Sequence, residues 1–264
     1  MILARGLGTR MRKADASAHL ASEQSAAADT GLKAMIPIGR PFLDYVLSEL
    51  ADSGFTDVCL VIGPEHQKVR DHYEREVIPT RIKIQFAIQE LPLGTANAVL
   101  AAEEFAGDDT FAVLNSDNYY PALALDALHE LNEPAIVGFD RDAMVRLGNV
   151  PPERTVRFGS LDIDEGGYLR RILVAPAKAM LPEGTWTYSS MNCFLFTRKI
   201  FDACRVVRLS ARGEYELPQA VHLAIERRWM RFKVVKVSAA VLDLSTRADI
   251  SRVAEYLEGK EVRL

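Results

Sequence analysis

Residues 6–11, Gly-Leu-Gly-Thr-Arg-Met, form a glycine-rich turn directly behind a short apolar run at residues 1–4. Glycine lets a backbone turn sharply enough to bring its N–H groups against phosphate oxygens, and Thr9 and Arg10 add a hydroxyl and a fork of donors. The P-loop spacing is absent, and Met11 stands where a dinucleotide fingerprint has its third glycine. Alone, the turn reads equally as a phosphate cradle and as a plain glycine turn. Further along, Lys33 is a cation ahead of a Pro-Ile-Gly-Arg-Pro turn, and Asp117 ends a buried-type apolar run at residues 110–114. A carboxylate there must be hydrogen-bonded, exposed at the strand end or bound to a cation. Asp243 ends a second apolar run at 237–242, with Ser245 and Thr246 behind it, so it reads either as a cation ligand or as part of a helix cap. Gln89 carries an amide that donates and accepts at once, which suits the carbonyl and N–H of a uracil or thymine edge. Gly94 and Thr95 open a helical pattern whose free N–H groups favour an anion or a base carbonyl.

The elements that must position these residues alternate in type. Strand-like runs at 1–4, 58–62, 82–88 and 110–114 are interleaved with helical patterns at 42–53, 65–73 and 94–104, the βα alternation of a mostly parallel sheet. Ligand chemistry in such sheets gathers at the carboxyl ends of strands, and both the glycine-rich turn and Asp117 fall at such ends. The second half is less regular. Strands are expected at 135–139, 156–163, 169–174, 193–196 and 232–237, and helices at 217–228 and 247–257. Residues 14–29 are rich in Ala and Ser and lack large apolar side chains, which predicts a flexible insertion, either a mobile flap or a short loose helix.

At 264 residues the chain can bury a core as a single domain. Its net charge of −4 argues against a surface built to neutralise a nucleic-acid backbone. Three widely spaced cysteines with no CxxC pair indicate neither a disulfide framework nor a thiolate zinc site, and the five histidines form no metal-binding spacing. No apolar run approaches membrane-spanning length and no signal-peptide pattern is visible, so the expectation is a cytoplasmic protein without nucleic-acid or membrane partners. The first strand is short, as though residues preceded Met1.

The order and spacing of these motifs resemble the sugar-1-phosphate nucleotidyltransferase family, glucose-1-phosphate uridylyl- and thymidylyltransferases above all. The resemblance is carried by Gly6 to Met11, Lys33 before Ile36-Pro37-Ile38-Gly39-Arg40-Pro41, Gln89 with Pro92-Leu93-Gly94-Thr95-Ala96, Asn115 to Asn118, Gly213 to Pro218 and Leu242 to Thr246. It implies an α/β, Rossmann-like fold with a mixed, mostly parallel sheet and helices on both faces, of the nucleotide-diphospho-sugar transferase type. Residues 1–120 would form the nucleotide-binding half and 121–264 the sugar-phosphate-binding half. Carried over residue by residue, it implies that Leu3, Ala4 and Gly6 line base and ribose, that Gly8, Thr9 and Arg10 hold the triphosphate, and that Lys33 reaches the phosphates from the other side. Arg10 and Lys33 are then the catalytic cations, Gln89, Gly94 and Thr95 complete the nucleotide site, and Asp117 and Asp243 hold Mg²⁺. The implied substrates are a nucleoside triphosphate, UTP or dTTP rather than GTP, and a hexose 1-phosphate, with glucose 1-phosphate as default and assembly into a homo-oligomer left open. A mannose-1-phosphate guanylyltransferase and a nucleotide-binding regulatory homologue without turnover are the alternatives.

The pattern breaks in the sugar half. Where the family has Glu-Lys-Pro, this chain has Val174-Ala175-Pro176, so two polar contacts to sugar and sugar phosphate are missing, with Lys178 and Arg171 the nearest replacements. Gly159 and Ser190 are the remaining sugar-binding candidates, Asn192 replaces a glycine, and Arg5 stands where a small residue is common.

Overall fold

The computed structural model describes residues 1–174 and 187–264. Thirteen strands are described: β1 (Ile2–Leu3), β2 (Pro37–Ile38), β3 (Arg40–Pro41), β4 (Asp57–Ile62), β5 (Lys83–Ile88), β6 (Phe111–Asn115), β7 (Asn118–Tyr119), β8 (Ala135–Asp140), β9 (Gly159–Ile163), β10 (Leu169–Leu173), β11 (Tyr188–Phe196), β12 (Lys233–Val237) and β13 (Leu242–Asp243). Nine of them make one sheet in the order β10-β9-β11-β6-β1-β4-β5, with β8 beside β11 and β12 beside β8. The first half is parallel throughout, β6, β1, β4 and β5 being joined by helical crossovers. In the second half β11 runs antiparallel to β6, β8 and β9. This is the mixed α/β sheet that the family resemblance implied, with the parallel half that the alternation of patterns pointed to.

Helices cover both faces, so the central strands bury both of theirs and read as continuous apolar runs. Ile2, Leu60, Ile62 and Leu114 face one core, while Leu3, Cys59, Val61 and Val113 face the other. All three cysteines are buried and unpaired, and burial pushes the Cys59 thiol up to about 11. Among the described residues no helix is long and apolar enough to cross a membrane.

Several elements differ from the expected ones. The strand at 156–163 shortens to β9 because Pro152–Thr155 is a helical turn begun by two prolines, and the strand at 193–196 lengthens to β11. The helices Ala122–Glu130, Arg141–Leu147 and Ile200–Val206 are two to three turns long, too short for a clear 3.6-residue period in the sequence.

In residues 14–29 the second of the two expected forms, a short helix, is present. Ser22–Thr30 is a helix with Ala27 and Ala28 buried, closed by Gly31 in a left-handed conformation. Its low apolar content is offset by distant partners. The buried Arg247 donates to Met11 O and Lys13 O, each at 3.0 Å, and to Ser25 Oγ at 3.2 Å, and it pairs with Asp29. Gln24 adds a bond to Pro37 O. One guanidinium from the C-terminal helix thus ties the segment to the glycine-rich turn. Arg247→Ala should cost about 2–3 kcal/mol in urea unfolding, the scale of losing hydrogen bonds to a buried charge, and should open residues 13–30 to proteolysis. Unchanged protease resistance there would mean that helix packing, not Arg247, holds the segment.

Candidate functional site

β1 ends at Leu3, and the chain turns through Gly6 and Gly8 into the helical turn Thr9–Arg12. Gly8 has φ +60, and a Cβ there would collide with the backbone of Gly31, so the turn can lie against the end of the 22–30 helix only with glycine at this position. Arg12 donates to Thr30 O at 2.8 and 3.1 Å and closes the same junction. The shape of the phosphate-type turn therefore depends on the segment that the sequence suggested was loose.

A cavity of about 230 Å³ opens beyond the ends of β1, β5 and β6. Of the expected residues, Leu3, Ala4, Gly6, Lys33, Gln89, Gly94, Thr95 and Asp117 line it. Gly8, Thr9, Arg10, Gly159, Ser190 and Asp243 lie outside its lining, and Thr9 and Arg10 are exposed. Lys33 Nζ and Asp117 Oδ2 meet at 2.7 Å, so the cation and the carboxylate neutralise each other within the cavity wall. Gln89 Nε2 donates to Gly94 O at 3.0 Å and to Asn97 Oδ1 at 2.9 Å. Because Gly94 O can only accept, the nitrogen must face it, which leaves Oε1 as the acceptor for a ligand N–H. Thr95 Oγ1 accepts from Leu217 N at 2.8 Å, so this hydroxyl braces the Leu217–Glu226 helix. Arg5, the unusual cation, is pinned in the wall. It donates to Gln89 O and makes two contacts of 3.2 Å with the Glu65 carboxylate.

The two carboxylates have different settings. Asp117 is partly exposed toward the cavity. Asp243 is buried and enclosed: Oδ1 accepts from Ser245 Oγ at 2.9 Å and Asn118 Nδ2 at 3.3 Å, and Oδ2 accepts from Arg154 at 3.1 Å. Burial first, then repulsion from Asp117, pushes the Asp243 carboxyl up against the pull of Arg154. Arg154 and its helical turn went unnoticed in the sequence, where nothing local links residue 154 to residue 243. Among the described residues no group of three or more His, Cys, Asp and Glu side chains is placed to hold a metal. Mg²⁺ accepts one or two carboxylates when phosphate and water oxygens complete its shell, so Asp117 at the cavity edge fits such an ion.

Of the two residues expected at a sugar, Ser190 pairs with Gly159 across β11 and β9, and Ser190 Oγ accepts from Asn192 N at 3.3 Å. Between Ser190 and Phe194 the register of β11 shifts, and its neighbour changes from β9 to β6. Asn192 sits at that fork with φ 55 and lines the cavity, holding the backbone conformation that a glycine would supply. Tyr120 OH ties the fork to the Asp117 turn, donating to Met191 O at 2.6 Å and accepting from Asn115 N at 3.2 Å. Val174 is exposed after β10, whereas Ala175, Pro176 and Lys178 lie outside the described residues. Arg171 pairs with Asp162 at 3.0 Å.

Residues 27–258 match the model of the nucleotidyl transferase family. The chain belongs to that family. The match bears out the motif resemblance. Among curated relatives, this nucleotidyl transferase is 26% identical over 260 residues to the UTP–glucose-1-phosphate uridylyltransferase AglF of Haloferax volcanii, covering 98% of this chain and 96% of that protein. It is 25% identical over 198 residues to the low-salt glycan biosynthesis nucleotidyltransferase Agl11 of the same organism, covering 75% of this chain but only 52% of the relative. A glucose-1-phosphate thymidylyltransferase of Streptomyces griseus is 26% identical over 227 residues, 86% of this chain and 57% of that protein. The chain thus spans little more than half of two of these relatives and nearly all of AglF. In fold it is similar to a crystal structure of UDP-glucose pyrophosphorylase complexed with UDP-glucose, with TM-score 0.75 at 16% identity and 98% of both chains covered.

Gly94 is a second close approach of backbone to backbone, beside that of Gly8. Its φ is +113, and an added Cβ would stand 2.5 Å from Tyr215 O and 2.8 Å from Tyr215 N. Gly94→Ala should destabilise the protein by roughly 1–3 kcal/mol in denaturant titration, through backbone strain and forced separation of the 93–95 and 215–217 segments. A loss below about 0.5 kcal/mol, the range of ordinary surface changes, would show that this contact tolerates movement.

Proposed function

We propose that this chain is a sugar-1-phosphate nucleotidyltransferase that couples UTP or dTTP to a hexose 1-phosphate, glucose 1-phosphate in the first instance, and releases pyrophosphate. The observation that carries the reading is the convergence of Lys33, Asp117, Gln89 and Gly6 at the start of the glycine-rich turn on one cavity, in a chain similar to AglF over nearly its full length. Expected in its favour, too, are the names of the relatives, which pair UTP and thymidylyl transfer with glucose 1-phosphate.

The chemical difficulty is charge. A sugar phosphate and a nucleoside triphosphate repel each other, so the site must supply cations before they can meet. Leu3, Ala4 and Gly6 would wall the base and ribose, with Gln89 Oε1 accepting the N3–H of a uracil or thymine. Lys33, now held by Asp117, would pass to the phosphates, while Gly8, Thr9 and Arg10 on the turn would close over the β- and γ-phosphates. An oxygen of the sugar phosphate then attacks the α-phosphorus in line. A new O–P bond forms, the bond to the bridging oxygen breaks, and pyrophosphate leaves with that electron pair. Mg²⁺, when bound at Asp117 together with phosphate oxygens, would supply charge neutralisation and hold the triphosphate in one geometry. No covalent enzyme intermediate is needed.

Pyrophosphate release from a panel of UTP, dTTP and GTP, each with glucose 1-phosphate or mannose 1-phosphate and with or without Mg²⁺, tests the reading. Release with UTP or dTTP and glucose 1-phosphate is expected. GTP with mannose 1-phosphate alone would favour a guanylyltransferase. Nucleotide binding with no release from any pair would sink the enzyme reading and leave a binding homologue, consistent with Val174-Ala175 in place of the polar pair.

Two variants then test individual roles. Arg10→Ala should lower turnover by roughly two to three orders of magnitude, the scale of removing one preorganised donor, and a loss below tenfold would take Arg10 off the phosphates. Asp117→Asn should abolish activity or its Mg²⁺ dependence, and unchanged kinetics would move the metal elsewhere.

A further inference from the structure

β1, β4 and β5 are neighbours in the sheet, and the segments that follow them meet in one cluster. Arg5, behind β1, engages each nitrogen of its guanidinium: Nε lies 3.2 Å from Glu65 Oε1, NH2 lies 3.2 Å from Glu65 Oε2, and NH1 donates to Gln89 O. Glu65 stands on the turn behind β4, which His66 closes by accepting from Gly63 N at Nδ1, 3.3 Å away. Gly63 makes room for the ion pair, since a Cβ there would stand 2.4 Å from Glu65 Oε2 and 2.5 Å from Arg5 Nε. Gln89, behind β5, is buried and held at every polar atom but one. Its N donates to Ile62 O at 2.9 Å, its O accepts from Arg5, and its Nε2 donates to Gly94 O and Asn97 Oδ1. Its Oε1 has no partner among the described residues. Arg5 and Gln89 line the cavity, whereas Gly63 and Glu65 lie outside its lining. The Arg5 side chain is 8% exposed and that of Glu65 52%, so a buried cation leans on a carboxylate that water reaches.

Resting on the nucleotide site of the reading above, we propose that Arg5 is a positioning residue for the base: its fork onto Glu65 and the Gln89 carbonyl holds Gln89 Oε1 in place for the N3–H of uracil or thymine. At a position where a small residue is common, this chain thereby makes nucleotide affinity depend on Glu65, which does not line the cavity. The physical reason is preorganisation. An acceptor that is already fixed loses no conformational freedom when a ligand N–H arrives, whereas one that must first be ordered gives up part of the contact free energy. Arginine suits this task better than lysine, because its planar guanidinium presents donors in a fixed fork that reaches two acceptor groups at once. With all three nitrogens engaged, Arg5 acts by holding Gln89 and not by meeting phosphate.

Calorimetric titration of the whole protein with UTP in the presence of Mg²⁺, and separately with inorganic tripolyphosphate, reads the affinity without turnover. Arg5→Ala should weaken UTP binding about tenfold, the scale of losing one hydrogen bond to a charged group, and leave tripolyphosphate binding within about threefold. Glu65→Ala separates positioning from charge. It removes a negative charge and frees Arg5, so electrostatics alone would tighten UTP, whereas loss of the clamp should weaken it by about threefold or more. Gly63→Ala, which keeps both charges and drives a methyl into the pair, should weaken UTP to a similar extent, and Arg5→Ala/Glu65→Ala should bind UTP no more weakly than Arg5→Ala alone. UTP binding unchanged or tightened in Glu65→Ala, additive losses in the double variant, or an equal loss of tripolyphosphate binding in Arg5→Ala would overturn the proposal. Should Arg5→Ala fail to fold, Glu65→Ala and Gly63→Ala still decide. A chain that shows this UTP pattern yet releases no pyrophosphate from any substrate pair would defeat the transferase reading while upholding the role of Arg5. Turnover with UTP whose KM and kcat are both unmoved by Arg5→Ala would do the reverse, and no UTP binding by the unaltered protein would overturn both.

Discussion

The ion pair between Lys33 and Asp117 joins the two sides of the cavity. Lys33 arrives on the short helical turn behind the Ser22–Thr30 helix, and Asp117 on the turn between β6 and β7, so the 2.7 Å contact bridges parts of the chain 84 residues apart. Unit charges about 4 Å apart attract by roughly 4 kcal/mol at an intermediate effective dielectric, but desolvation offsets much of this for a partly buried pair. The pair matters more for placement than for net stability. It keeps a cation and a carboxylate facing each other in the wall of the cavity.

The rest of the fold keeps those two side chains in place. The Asp117 turn is held from one side by Tyr120, which reaches Met191 O, and from the other by Asn118, which reaches Asp243. Asp243 is in turn locked by Asn149, Arg154 and Ser245. These are buried polar groups with satisfied partners, the kind of network that fixes a unique arrangement more than it adds stability. The Lys33 side is held by Gly8 against Gly31 and by Arg247 gripping Met11, Lys13, Ser25 and Asp29. Both supports run into the C-terminal stretch from Leu242 to Leu257, so the end of the chain secures the start of it.

The two unusual residues of the cavity wall follow the same logic. Arg5 occupies a place where a small side chain is common, yet its charge is met by Glu65 and by the carbonyl of Gln89, so it serves as a brace between three segments. Asn192 keeps a left-handed backbone at the fork of β11 and lines the cavity. Asn accepts that conformation more readily than other non-glycine residues because its short polar side chain can bond locally.

Much of this was legible in the residues themselves. The alternation of apolar runs and helical patterns identified the α/β sheet, because strand and helix periods are local properties of the chain. The glycine-rich turn, Gln89 and Asp117 were legible because each follows a strand-like run, while Lys33 and Gly94 were picked out by the order of motifs that carries the family resemblance. What the sequence left undecided was direction and company. Residues 14–29 lack the apolar side chains that announce a packed helix, and the partners that hold one there, Arg247 above all, include a residue more than two hundred positions away. Asp117 and Asp243 look alike in sequence, each an acid behind an apolar run. Only the tertiary structure separates them, because Asp243 meets Arg154 across 89 residues of chain while Asp117 opens on the cavity. A carboxylate's role depends on which charges surround it, and long-range packing brings those charges together without leaving a trace in the local pattern.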